Sequence, residues 1–341
     1  MNFRTTALSC LTRVQAGLSH TELVHIPHSL WPFPHRYSAS VPLNNDLQRP
    51  LRISILDASF NPPTLAHLAL INASRPSDSS TSIDAEESDY DARLLLLSVK
   101  NVDKTLKSTD ATYVQRLEMM HHLTQYIHCK SSPSAPVPSA SPAPDQIANM
   151  AIGIINEPTF VGKSTVLLAF LQNRVTEFST SLFPNSSATT SNTAHDVHFE
   201  LSFNVGMDTL ERLVAPRYYA SEEAMTASLR HFLSPLEENS LVICARRNLT
   251  SSPSSSTAVK VGDGTTADAD ANDALKPARE FIETGRIKLI DIGADESTYS
   301  STAVRTMAKK LGLDEDGRKA WGRFVVPSIE DYIVSEGLYV E

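Results

Sequence analysis

The sequence predicts an α/β fold: a doubly wound parallel sheet with helices on both faces. Three observations predict it. Short β-branched or leucine-rich runs alternate with helical stripes along the chain; the runs are apolar throughout rather than every second residue; and two helix starts of phosphate-binding type each follow such a run. Sheets of this kind hold ligands beyond the carboxyl ends of their strands, where the strand order reverses. The turns that follow strands are therefore the places to look for a site.

The first buried strand is read at 52–56, and it leads into Asp57-Ala58-Ser59-Phe60-Asn61-Pro62-Pro63-Thr64, a proline-stiffened turn that opens a helix with His67 one turn in. A second strand spans 93–99, with four consecutive leucines. Val114, Leu117, Met120, Leu123 and Ile127 form a helical stripe over 112–128. A strand at 151–155, a helix at 164–175 and a strand at 197–205 follow, and Gly206-Met207-Asp208 leads into a helix around 210–214. Beyond a strand at 241–245 come a helix at 274–284 and a last strand at 287–292, which delivers Thr298-Tyr299-Ser300-Ser301-Thr302-Ala303-Val304-Arg305. Polar tracts near 74–91, 130–147, 179–195 and 248–274 are rich in Ser, Thr, Asp or Pro and read as flexible, disordered insertions. The two motifs lie near opposite ends of 51–341, so that whole span is expected to be one domain with a single crevice.

Residues 1–50 form a separate N-terminal arm with two readings. Arg4, Arg13, several hydroxyls and no acid before Glu22 give residues 1–20 the look of a mitochondrial transit peptide. Alternatively, Leu8, Leu11, Val14 and Leu18 build an amphipathic helix, followed by an extended 23–34 segment packed on the domain. Composition does not separate the two.

A formal charge of −9 argues against a nucleic-acid binder, whose affinity needs clustered Lys and Arg. Small anionic substrates remain compatible with it through local dipole fields. Cys10, Cys129 and Cys244 are widely spaced and odd in number, without a C-x-x-C pair, which points to reduced, buried thiols in cytoplasm or nucleus, with the mitochondrion as the second choice. No apolar run reaches the roughly 18 to 20 residues that span a bilayer, so no membrane association is expected.

Chemistry concentrates in the two helix starts. Ser59 and Phe60 offer backbone N–H groups at a strand end, Asn61 braces the turn, and His67 adds an imidazole donor beside the helix terminus. Ser300, Ser301 and Thr302 cap the second helix, with Arg305 one turn in as a bidentate phosphate donor. Two anion-binding helix starts imply one polyphosphate. Asp57, at the strand end, either faces a metal ion or is a solvated turn residue. Gly162-Lys163-Ser164 ends like a P-loop, but Glu157 occupies the position of its first glycine, which excludes that motif. His121, His122, His128 and Cys129, and likewise His195 and His198, lack a complete metal-ligand pattern, so no metal site is expected in the protein.

Together, Ser59-Phe60-Asn61-Pro62 with His67, and Ser300-Ser301-Thr302-x-x-Arg305, resemble the two signatures of the nucleotidylyltransferase superfamily, a Rossmann-like fold. The closer resemblance is to the nicotinamide-nucleotide adenylyltransferase family, including its divergent fungal branch. Val326-Pro327-Ser328-Ile329-Glu330-Asp331-Tyr332-Ile333 and Gly337-Leu338-Tyr339 resemble that family's terminal segment. The resemblance implies transfer of the adenylyl group of ATP, with Mg²⁺, to nicotinamide or nicotinate mononucleotide. It also implies His67 and Arg305 as catalytic groups, with Ser59, Phe60, Asn61, Thr64, Ser300, Ser301, Thr302, Gly206 and Asp208 around the ATP and its phosphates. A homo-oligomer is compatible with it. Thr64 stands where many members have a first histidine, Ala66 replaces the usual glycine, and Ala58 lies where some members have one.

Substrate phosphate falls to Lys100 and Lys104, which are otherwise solvated lysines, and Arg116 is assigned a structural or surface role. Members stack the pyridine on a central tryptophan, whereas Trp31 and Trp321 are the only tryptophans here; Tyr218 and Tyr219 are the candidate substitutes, and Trp31 could fold over the site from the arm. Rival readings are another phosphate acceptor, as in cytidylyl or phosphopantetheine transfer, and a nucleotide-binding regulatory or scaffold protein without turnover.

Overall fold

A computed structural model describes residues 2–34, 49–76, 89–100, 107–130, 149–182, 197–246 and 275–340. The six apolar runs become strands, and an unexpected seventh precedes them: β1 Thr21–His25, then β2 Leu51–Asp57, β3 Ala92–Ser98, β4 Met150–Ile155, β5 Phe199–Gly206, β6 Ser240–Ala245 and β7 Ile287–Ile290. They form one sheet in the order β1-β4-β3-β2-β5-β6-β7. All neighbours run parallel except β1, which lies antiparallel on β4. Starting at β2, the chain moves outward through β3 and β4, then crosses back to lay β5, β6 and β7 on the other side. Strand order therefore reverses between β2 and β5, where the helices after the two strands leave on opposite faces and open a crevice.

The five inner strands, β2 to β6, are buried on both faces, which is why they read as continuous apolar runs, whereas the edge strands β1 and β7 are only partly buried. Leu95 and Leu97 of β3 face one core, with Leu56 of β2, while Leu94 and Leu96 face the other with Ile53 and Ile55. The first core is covered by α1 Phe3–Gln15, α2 Leu65–Asn72, α3 Tyr113–Lys130, α8 Ser301–Leu311, α9 Glu315–Trp321 and α10 Pro327–Ser335. The second is covered by α4 Phe160–Leu182, α5 Met207–Leu213, α6 Glu222–Leu233 and α7 Arg279–Glu283. The expected doubly wound α/β fold is the observed one. Among the described residues, no helix is long and apolar enough to cross a membrane.

Several expectations are corrected. Leu11 and Val14 of the expected α1 stripe are buried, with Ala7 and Cys10 beside them, whereas Leu8 and Leu18 are 49% and 78% exposed, Leu18 lying beyond the end of the helix. Cys10 and Cys244 are buried as expected, but Cys129 is exposed. The segment read as extended 23–34 contains a strand only to His25, paired through Glu22↔Ile154 and Leu23↔Gly153. Helix α4 begins earlier and ends later than 164–175. The last strand stops at Ile290, and a loop with a short 3₁₀ turn, Glu296–Thr298, separates it from the second motif. The polar tracts lie almost wholly outside the described residues.

Candidate functional site

Helix α2 begins where it does because Thr64 takes an extended conformation, φ −122° and ψ 172°, and His67 reaches back to cap it. The Thr64 N–H donates to His67 Nδ1 at 3.0 Å, and Thr64 Oγ1 lies 2.9 Å from the same nitrogen. A backbone N–H can only donate, so Nδ1 is an acceptor and the ring proton sits on Nε2. Burial pushes the imidazole down to about 4, so the ring is neutral near pH 7 even though one edge meets solvent. His67 thus presents a fixed Nε2–H donor at the positive end of a helix.

The turn before it carries a second constraint. Phe60 is fully buried with φ 46°, a left-handed conformation that bulky residues rarely adopt, and its ring packs 5.5 Å from the His67 ring. Among the described residues, the N–H groups of Ser59 and Phe60 have no acceptor, and neither do those of Leu65 and Ala66 at the start of α2. Helix α8 repeats the arrangement. Ser300 accepts from Ala303 N–H at 3.1 Å as N-cap, leaving the N–H groups of Ser301 and Thr302 without acceptors among the described residues.

The fold brings the two motifs into contact. Arg305 Nη1 donates to the Asn61 carbonyl at 2.6 Å, and Ser301 Oγ donates to the Pro62 carbonyl at 2.7 Å. Arg305 Nη2 also reaches Thr302 Oγ1 at 3.3 Å. Asn61 is braced on its other side by residues that the sequence did not single out. Its Oδ1 accepts from Ala111 N–H at 3.2 Å and from the Tyr339 hydroxyl at 2.9 Å, while its Nδ2 donates to Asp110 Oδ1 at 2.7 Å. Asp110 also accepts from Lys107 N–H at 3.1 Å and lies 3.7 Å from Arg116 Nη2 and 3.8 Å from Arg305 Nε. Burial opposes ionisation of Asp110, but the hydrogen bonds from Lys107 and Asn61 and the charges of Arg116 and Arg305 outweigh it, so its carboxyl titrates below the ordinary range. The only sequence signal for this residue was its place six positions before Arg116.

Arg116 is structural and buried: Nε donates to the Ala111 carbonyl at 2.8 Å and Nη1 to the Ser59 carbonyl at 3.3 Å, which ties α3 to the phosphate turn. The Asp57 side chain is almost wholly shielded from solvent, so it is not a solvated turn residue. It forms a buried ion pair with Lys163 of α4, whose ammonium also lies 4.8 Å over the Phe160 ring. Gly162, beside it, is occupied by Glu157: a Cβ there would meet the Glu157 carboxylate at 2.5 Å, so an acid covers this helix start.

Across the switch point, Gly206 ends β5 and caps α5, with open space where a Cβ would stand, and Asp208 is exposed in the first turn. Lys100 is exposed just beyond β3, and Lys104 lies outside the described residues. Tyr219 is corrected to a packing role, since its hydroxyl donates to the Leu213 carbonyl at 2.8 Å, its ring packs on the second core and burial pushes it up to about 12. Tyr218 is half-buried, with its hydroxyl 3.1 Å from Arg217 Nη2. Trp31 does not fold over the site; it is 0% exposed in the second core, and its carbonyl accepts from Arg174 Nε at 2.7 Å. Trp321 is equally buried, donating to the Gly312 carbonyl at 3.2 Å. Among the described residues no cluster of three His, Cys, Asp or Glu is placed to hold a metal ion.

No protein-family model matches the chain, and no curated protein sequence matches it. Among solved structures, it aligns with Plasmodium falciparum nicotinic acid mononucleotide adenylyltransferase complexed with NaAD, at 16% identity and a TM-score of 0.40, over 84% of this chain and 97% of that one. The same enzyme complexed with APC aligns at 14% identity and a TM-score of 0.39, over 84% and 96%. Overlap this low assigns no function by itself.

Proposed function

We propose that this chain transfers the adenylyl group of ATP to nicotinamide or nicotinate mononucleotide, as a divergent, fungal-type member of the nicotinamide-nucleotide adenylyltransferase family. The observation that carries the reading is the junction of two phosphate-type helix starts at the switch point, made by Arg305 on the Asn61 carbonyl and Ser301 on the Pro62 carbonyl. The motif strings around these residues resemble those of the family, with Thr64, Ala66 and Ala58 as departures.

In this reading, a phosphate oxygen of the mononucleotide attacks the α-phosphorus in line. The bond from that phosphorus to the bridging oxygen breaks, and pyrophosphate leaves with the electron pair. Such a transfer depends on positioning and charge stabilisation more than on covalent help from the protein. The free N–H groups of Ser59, Phe60, Leu65 and Ala66 surround one end of the phosphate chain, and those of Ser301 and Thr302 the other. His67 Nε2–H donates to a non-bridging oxygen as charge builds there; Arg305 holds the leaving phosphates. In the same reading the open space beside Gly206 admits the nucleoside, the exposed Asp208 accepts from a ribose hydroxyl, and Lys100, exposed just beyond β3, holds the acceptor phosphate. Bound with ATP, Mg²⁺ would neutralise phosphate charge; the two acids nearest the phosphate turn, Asp57 and Asp110, are paired with Lys163 and with Arg116 and Arg305.

The test is direct. Purified protein with ATP, Mg²⁺ and either mononucleotide is expected to form a dinucleotide and release pyrophosphate only when the mononucleotide is present. No product beside an active control enzyme would overturn the reading. One observation favours a second reading, a nucleotide-binding regulatory or scaffold protein: both tryptophans are buried, so neither is free to stack a pyridine. Tight ATP binding without dinucleotide formation with any phosphate acceptor would select it.

A further inference from the structure

We propose that Asp110 is the positioning residue of this site, setting the direction in which Arg305 offers its guanidinium to a polyphosphate. The inference rests on the anion-binding half of the reading above and not on the identity of the acceptor. An acid beside an anion site is electrostatically adverse, because like charges at contact range repel even where water screens them. Its presence there needs a compensating role, and the geometry supplies one.

Asp110 meets one residue from each helix start, Asn61 and Arg305, together with Lys107 and Arg116 behind them. One oxygen accepts from Asn61 Nδ2 at 2.7 Å and lies 3.8 Å from Arg305 Nε; the other accepts from Lys107 N–H at 3.1 Å and lies 3.7 Å from Arg116 Nη2. Arg305 in turn places Nη1 on the Asn61 carbonyl and Nη2 on Thr302. Nη1 and Nη2 are thus held by hydrogen bonds, while the Asp110 charge, 3.8 Å from Nε, lies beyond hydrogen-bond range but close enough to bias the direction of the guanidinium. Without that charge Arg305 keeps its two hydrogen bonds but loses the attraction that draws Nε towards Asp110, and Asn61 Nδ2 loses its charged acceptor. Arg116 keeps its bonds to the Ala111 and Ser59 carbonyls in either case, so the released group is Arg305.

Simple electrostatics and positioning give opposite signs for Asp110→Asn, which removes one negative charge with little change in size. Loss of a repelling charge tightens anion binding; loss of a positioning contact weakens it. Binding of inorganic tripolyphosphate, and of ATP without acceptor, is measured by calorimetry on the full chain. Asp110→Asn is expected to weaken both by roughly tenfold, the scale of one hydrogen bond to a charged group. In an Arg305→Ala background the same substitution is expected to change binding less than twofold, because its effect passes through Arg305. Where dinucleotide formation is measurable, KM for ATP is expected to rise more than kcat falls. If thermal melting shows Asp110→Asn to be unfolded, Asp110→Glu, which keeps the charge but moves it by one methylene, is measured in its place, and weaker binding is again expected. Unchanged or tighter binding, an equal effect without Arg305, or wild-type protein that binds neither ligand would each overturn the inference. Wild-type protein that binds tripolyphosphate but makes no dinucleotide would remove the transferase reading while leaving the Asp110 comparison decisive.

Discussion

The Arg305 guanidinium donates to the Asn61 carbonyl across 2.6 Å, between residues 244 positions apart in the chain. Each belongs to a helix start that alone would be an ordinary capped terminus. The sheet order turns them into one site, because β2 delivers the first turn to the crevice and the chain beyond β7 returns to meet it.

Arg305→Ala is expected to raise KM for ATP by about tenfold or more, since it removes a charged, forked phosphate donor. It also strips the Asn61 carbonyl of its partner, so unfolding by urea is expected to show a loss of about 1 to 3 kcal/mol. Arg305→Lys keeps the charge without the fork and is expected to recover only part of either effect. Kinetics indistinguishable from wild type would take Arg305 out of the site.

For His67→Ala the expected balance is different. Losing a donor aimed at developing charge lowers kcat by about 10²- to 10³-fold, whereas losing the cap on α2 destabilises the fold by about 1 kcal/mol. Steady-state rates beside melting curves separate the two. Turnover that falls only in proportion to the folded fraction would reduce His67 to a capping residue.

The neutral ring also predicts a pH dependence. Burial holds folded His67 down to about 4, below the ordinary value of 6.5, so between these values the unfolded chain binds a proton that the folded chain refuses. Stability is untouched above pH 6.5 and falls as the pH drops from 6.5 towards 4. His121, pushed down to about 4 by burial and then by His25 and His122, contributes in the same direction. In urea titrations, the stability of wild type relative to His67→Gln is expected to be constant above pH 6.5 and to shrink steadily below it. A difference independent of pH would show that His67 protonates freely in the folded protein.

The Asp57–Lys163 pair gives a fourth expectation. Both side chains are about 5% exposed, so Lys163→Met leaves a buried carboxylate alone and is expected to destabilise the protein by about 3 to 5 kcal/mol. Asp57→Leu combined with Lys163→Met removes both charges and is expected to recover most of that loss, as chemical denaturation of the single and double variants would show. A double variant no better than the single would mean that the pair contributes more than mutual neutralisation.

The parallel strands were legible because burial on both faces writes itself as unbroken apolar runs, such as Leu94 to Leu97, and the phosphate turns because Pro62, Pro63, Ser300 and Ser301 are local punctuation. Strand β1 escaped because Thr21, Glu22 and Leu23 carry no alternation; an edge strand is specified by its partner β4 more than by its own residues. Asp110 and Tyr339 escaped for a related reason. Their roles lie in contacts to Asn61 over 49 and 278 positions, and no spacing rule reaches that far. Asp57 and Lys163, 106 positions apart, looked respectively like a turn acid and part of a failed phosphate loop until the sheet set them face to face.

The bond from the Tyr339 hydroxyl to Asn61 has a consequence in time as well as in space. A growing chain exposes its early residues first, and domains fold largely as units during synthesis. Asn61 is made 278 residues before the Tyr339 hydroxyl that fixes its amide. The phosphate turn is therefore finished only after nearly every other element has been laid down, so a ribosome-bound or prematurely ended chain carries the turn's sequence without its final brace.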